Sequence, residues 1–283
     1  MTGVQTCALP IWDRVVSGRR LNLVAVPTTA GTGSEATKNA VVSRVGRDGF
    51  KKSLRHDAFV PDYAVIDPLL SVGCPRDVTV ASGLDAVTQL LEAYVSSRAS
   101  AFTGPLAAAG LRAAAQAFPG VANHPEDLDL RFEMTFAAYL SGVVLADAGL
   151  GVVHGLASPI GSLVPAPHGA VCAALLPAAT RVITAALTDR DSESETGRIA
   201  LRRYAEAGDI LSGETHEDVG SGVEALVATL DRWVGELGVP TLDAWGIGPD
   251  DVSDVVARGS RKNTPVDLTA DEIESIVLEA VRR

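Results

Sequence analysis

The sequence predicts a fragment of an α/β domain followed by an all-helical domain, with the boundary near residues 70–76. Three observations carry this reading. Up to about residue 70 the apolar residues fall in short β-type runs cut by proline and glycine. Beyond Pro75 they recur with the period of helices, and no internal repeat or low-complexity linker interrupts the chain.

Taken in order, "LNLVAV" (21–26) is a strand stopped by Pro27. "NAVVSRV" (39–45) and "KKSLRHD" (51–57) flank "GRDG", a turn signal that predicts a hairpin. "YAVID" (63–67) reads as a buried strand ended by Asp67-Pro68. Helical periodicity then runs over 76–97, 103–118, 126–148, 169–187, 192–211, 219–237, 249–259 and 269–282, and a further helix is expected to start near His154. Pro75 and Pro125 stand where a first helical turn tolerates proline. "LTADEIESIVLEA" (268–280) opens with a threonine cap and acidic residues.

The N-terminal "MTGVQTCALPIW" has no basic leading segment, and its apolar part is too short and proline-broken for a signal peptide. It resembles translated adapter sequence. The expected organisation is therefore a foreign scar over 1–12, an α/β segment over 13–72 and a helical domain over 73–283.

Composition narrows the function. A chain of 283 residues can bury a large core, and with 47% hydrophobic and 21% charged residues it is globular. The formal charge of -11 argues against a nucleic-acid or anionic-membrane surface. No uninterrupted apolar run reaches the length of a membrane span. Cys7, Cys74 and Cys172 are scattered without metal-type or disulfide spacing, so a reducing cytoplasm is the expected compartment and packed thiols the expected role, although Cys172, four residues after His168, stands where it could approach a site formed there.

The chemistry-bearing residues sit in two segments. On the predicted helix "GLDAVTQLLEAY" (83–94), Asp85 and Gln89 are one turn apart on one face. A carboxylate on an otherwise apolar helix needs a partner, either a backbone group or a cation. The stretch "HGLASPIGSLVPAPHG" (154–169) holds two of the five histidines, His154 and His168. Two unrelated structural histidines would account for it. So would a shared divalent ion, if their helices pack beside Asp85; an oxygen-plus-nitrogen donor set suits Fe²⁺ or Zn²⁺. Glu92 is expected to face a neighbouring helix or solvent. His56, His124 and His216 lie in polar surroundings with no assigned chemistry.

"PTTAGTGSEAT" (27–37), "ASGLDAVTQLLEAYVS" (81–96), "AGLGVVHGLASPIGSLVPAPHGAVCAALLP" (148–177) and "KNTPVDLTADEIESIV" (262–277) together resemble, in order, the iron-containing alcohol dehydrogenase family. The resemblance runs from about residue 20 to the end. It implies a dehydroquinate synthase-like fold: part of a nucleotide-binding α/β domain, then a helical metal-binding domain. It also implies a metal-dependent NAD(P) oxidoreductase that interconverts an alcohol and an aldehyde or ketone. Asp85, His154 and His168 match three of the family's metal ligands, with catalytic roles through the ion. The fourth position, usually histidine, is Gln89. Ser158 stands where several relatives carry a histidine thought to move the alcohol proton.

Thr28, Thr29, Thr32, Asn39, Val41 and Lys51 match cofactor-contact positions. Gly31 and Gly33 are read as letting the backbone approach a ligand. Nothing in residues 1–26 resembles the family's Gly-Gly-Gly-Ser loop, so the chain is expected to be a truncated form, impaired in NAD or NADP binding and exposing hydrophobic sheet edges. A full-length form is expected to dimerise. The alternatives are a maleylacetate-reductase-like enzyme working without metal, which Asp85 argues against, and a non-catalytic helical module.

Overall fold

The computed structural model describes residues 20–282; the expected scar and Cys7 lie outside them. Four strands precede the helices. β2 (Asn39–Arg44) and β3 (Phe50–Arg55) form the expected antiparallel hairpin, registered from Asn39 opposite Arg55 to Arg44 opposite Phe50. Its turn is tied to the helical part by the Gly46 amide, which donates to the Ser162 carbonyl at 2.9 Å. That tie lays β3, with Lys51, across the face where the site forms.

β1 (Val24–Ala25) pairs in parallel with β4 (Tyr63–Ala64). The expectation of a buried strand over 63–67 needs correction. Only two residues pair, Tyr63 is 65% exposed, and Val24 and Val65 are exposed beside it. Parallel strands are buried when helices cover both faces. Among the described residues these two strands carry no such cover.

The helices follow the predicted periodicity closely: α1 (Arg76–Val95), α2 (Thr103–Ala117), the short α3 (Gly120–Asn123), α4 (Leu128–Ala148), α5 (Val152–Leu163), α6 (His168–Arg190), α7 (Glu195–Ser212), α8 (Val219–Glu236), α9 (Val252–Arg258) and α10 (Ala270–Arg282). Their starts are set by side chains that satisfy first-turn amides. Asp127 accepts from the amides of Asp129 and Leu130 at the head of α4, and Ser194 accepts from Gly197 at the head of α7. Thr269 and Glu272 form the expected box at α10: the Glu272 carboxylate accepts from the Thr269 amide at 2.7 Å, and the Thr269 hydroxyl accepts from the Glu272 amide at 3.2 Å. The predicted helix over 249–259 divides into a 3₁₀ turn at Pro249–Asp251 and α9.

α1 is buried along most of its length among α2, α4 and α6. A helix apolar on all sides belongs in a core, so the polar residues on it are the ones that need explaining. α6 is long and apolar enough to cross a membrane, yet 83% of its apolar window is packed inside the protein, as a core helix would be.

Small residues let these elements approach closely. Gly33, in the left-handed region at φ 57°, and Gly142 on α4 meet backbone to backbone: a Cβ on Gly142 would lie 2.0 Å from the Gly33 carbonyl oxygen. A Cβ on Gly31 would lie 2.7 Å from the Ser82 Cβ. These glycines seat the 27–37 loop closely on α1 and α4. At the head of α6, a Cβ on Gly169 would lie 2.2 Å from the Ala81 carbonyl oxygen, so α6 begins directly against α1. Helix propensity alone favours alanine over Gly142 by about 1 kcal/mol. The clash is expected to outweigh it, so Gly142→Ala should lower the unfolding free energy by about 1–3 kcal/mol in urea titrations; a gain in stability would show that the loop is not pinned there.

Candidate metal centre

Three helices deliver the site. α1 carries Asp85 and, two turns on, Glu92, both buried and facing the start of α5. α5 carries His154 in its first turn, and α6 opens with His168. The sequence spacing between Asp85 and the histidines resolves into contact distances: Asp85 Oδ1 lies 3.5 Å from His154 Nε2 and 4.0 Å from His168 Nε2. The imidazole rings meet edge to face with centroids 5.3 Å apart. Asp85 Oδ1 and His154 Nε2 are both buried without a hydrogen-bond partner, which is costly for groups of this polarity.

Glu92 is the residue that sequence reasoning undervalued. It does face the neighbouring helix, and there it does two jobs. One oxygen accepts from the Val153 amide at 2.7 Å, closing an open donor at the head of α5, where Gly151 supplies no side-chain cap. The other lies 2.7 Å from His154 Nδ1. A carboxylate on Nδ1 fixes the ring and leaves Nε2 as the outward-facing nitrogen. The hint in the sequence was an acid seven residues after Asp85, on the same face of an otherwise apolar helix.

Electrostatics follow this layout. Burial works to raise both carboxyls, but His154 and His168 hold Asp85 below its ordinary value, and His154 with Lys262 does the same for Glu92. Burial opposes charge on His154, yet the acids around it (Cys172, Glu92 and Asp85) raise its pKa well above the usual value. His168 is pushed down to about 4 by burial, with His154, Lys51 and Lys262 acting in the same direction against Asp85. Its imidazole is therefore neutral and keeps a free lone pair near neutral pH.

Cys172, expected as a packed thiol, is buried one turn beyond His168 with Sγ 3.9 Å from His168 Nε2. One donor atom each from Asp85, His154, His168 and Cys172 lie within 4.8 Å of one another. Gln89 is buried beside them. Its amide oxygen accepts from the Ser141 hydroxyl at 2.7 Å, and its nitrogen stands 3.5 Å from Asp85 Oδ2.

Two clefts of about 440 Å³ each flank this cluster. Thr29, Thr32, Asp85 and His168 line the first, which is largely apolar beyond them. Thr32, Asn39, Val41, Lys51, Ser158 and His168 line the second, as do Lys52, Arg55 and Lys262. Lys51 reaches across to place Nζ 3.3 Å from His168 Nδ1, and burial lowers its pKa. The Ser158 hydroxyl bonds back to the His154 carbonyl at 3.3 Å. Thr28 lines neither cleft and is exposed. Of the histidines left without a role, His56 accepts from the Ala58 amide and His216 pairs with Asp209.

The orphaned Asp85 oxygen and His154 nitrogen, aimed with His168 Nε2 at one gap, are the donors a divalent cation takes. The residues present fit such an ion.

Comparison with known proteins agrees. The model of the Fe-containing alcohol dehydrogenase family, C-terminal, matches residues 79–281, and that of iron-containing alcohol dehydrogenase matches residues 3–68, beginning within the stretch read as a scar. The probable alcohol dehydrogenase EutG of Escherichia coli is 35% identical over 205 residues, covering 72% of this chain and 51% of that protein. The long-chain-alcohol dehydrogenase 1 of Geobacillus thermodenitrificans is 34% identical over 238 residues, covering 83% of this chain and 56% of its own. The crystal structure of a 1,3-propanediol oxidoreductase superposes with a TM-score of 0.81 at 28% identity, covering 92% of this chain and 66% of that one. The chain thus spans about half the length of these sequence relatives. By its helical fold, its converging metal donors and these matches, the chain belongs to the iron-containing alcohol dehydrogenase family.

Proposed function

We propose that this chain carries the metal-binding part of an NAD(P)-dependent alcohol dehydrogenase that interconverts a small alcohol and its aldehyde or ketone. The observation that carries the reading is the pair of orphaned buried atoms, Asp85 Oδ1 and His154 Nε2, facing His168 Nε2. A bound Fe²⁺, Zn²⁺ or similar ion supplies Lewis acidity, which stabilises alkoxide in one direction and polarises a carbonyl in the other.

The protein's own residues do the rest. Asp85 brings the negative charge that holds the cation, and His154 and His168 bring nitrogen donors. Glu92 keeps the His154 ring in the ligating orientation. The second cleft gathers Lys51, Lys52, Arg55 and Lys262 in a chain whose formal charge is -11, which supports a place for the anionic cofactor there. Within it Thr32, Asn39 and Val41 are proposed contacts; Thr29 faces the adjoining cleft, and Thr28 stands outside both. The apolar first cleft suits the carbon chain of the alcohol. With Ser158 turned to its own helix, the alcohol proton leaves by another route than a histidine at that position.

NAD or NADP binding by this chain alone is proposed to be weak, because its contacts come from one loop and one hairpin. A dimer of the full-length form and a cytoplasmic setting complete the proposal.

Metal analysis of the purified 283-residue chain, reconstituted and then desalted, is expected to find one divalent ion per chain, lost in Asp85→Ala. Equal metal retention by that variant would overturn the reading. Activity that survives complete chelation would favour the metal-free, maleylacetate-reductase-like alternative. Glu92→Gln is expected to weaken metal affinity by roughly 10–100-fold in chelator competition, because Glu92 both orients the His154 ring and accepts from the amide beside it.

A further inference from the structure

We propose that the fourth protein ligand of this ion is the Cys172 thiolate, in place of the Gln89 amide. The inference rests on the metal-centre reading above and concerns how this chain completes the coordination shell.

Geometry comes first. An ion bound tetrahedrally at roughly 2.0–2.3 Å spaces its donor atoms about 3.3–3.8 Å apart. Three spacings in the cluster are 3.5, 4.0 and 3.9 Å, and all four donors lie within 4.8 Å of one another. Movements of an ångström or less therefore bring oxygen, two nitrogens and sulfur onto one centre. Cys172 follows His168 at i+4 on α6, so a single helix face presents both donors to the gap. Two other members of the set, Asp85 Oδ1 and His154 Nε2, point into the same gap buried and unpartnered, which marks it as a ligand position independently of the thiol.

Gln89 is arranged otherwise. Its amide oxygen is engaged by the Ser141 hydroxyl, and its nitrogen faces Asp85 Oδ2. To ligate, the amide has to turn over and set its oxygen beside that carboxylate.

Coordination forms the metal–sulfur bond and expels the thiol proton to solvent, with no change of oxidation state. A soft sulfur donor also shifts the preference of the site from iron toward zinc.

Cobalt substitution tests this on the full chain, with Cys7→Ser and Cys74→Ser leaving Cys172 as the single thiol. One bound Co²⁺ should give a near-ultraviolet thiolate-to-cobalt charge-transfer band that disappears in Cys172→Ser and persists in Gln89→Ala. X-ray absorption on the unmutated zinc-loaded chain should show a sulfur scatterer at about 2.3 Å, a readout that does not require the variants to fold. Bound cobalt without that band, or a shell without sulfur, would overturn the thiolate and leave the metal centre standing. A chain that binds no metal would overturn both.

Discussion

The structure is organised around a carboxylate placed where carboxylates are expensive. Asp85 is 2% exposed on a helix surrounded by other helices, with one oxygen left unpaired. Such a group persists only if something positive meets it. Supplying that meeting explains the neighbouring architecture: α6 starts against α1 through Gly169, α5 starts opposite Glu92, and the 27–37 loop sits on α4 through Gly33 and Gly142. Each contact needs a residue without a side chain at a defined position.

His154 lies at the centre of this layout, with Glu92 on one ring nitrogen and Asp85 near the other. Its helix is held from outside as well. The Thr264 hydroxyl accepts from the Val152 amide at 2.9 Å, and the Asn263 amide donates to the Leu150 carbonyl at 3.1 Å. The segment 260–264, more than a hundred residues downstream, therefore fixes the first turn that presents the imidazole. Lys51 and Asp85 stand on opposite sides of the His168 ring, one at Nδ1 and the other near Nε2.

Much of this was legible in the sequence. Helices announced themselves through period and, at α10, through the Thr269 cap, since both signals are local; the caps Asp127 and Ser194 emerge only in the structure. Asp85, His154 and His168 were legible from motif order, and the structure brings them together. What escaped was set by contacts distant in the chain. The Glu92–His154 pair spans 62 positions: the apolar helix marks Glu92 as an acid that needs a partner, but nothing local says which distant group it meets. That Cys172, four residues after His168, could approach the site was legible; how near it comes to Asp85 depends on how α6 meets α1. Gly31 and Gly33 were legible as sites of close approach, but not which partner approaches. The strand at 63–67 carries a buried strand's apolar pattern, while its exposure depends on layers that composition does not reveal.

The β1–β4 ribbon has one further consequence. Among the described residues, Leu21, Leu23, Val24, Val26, Tyr63 and Val65 are exposed on and beside two short strands whose outer backbone groups can pair with another chain. An exposed apolar ribbon of this kind favours self-association, so turbidity that rises with concentration and ionic strength while the helical signal holds is the expected consequence.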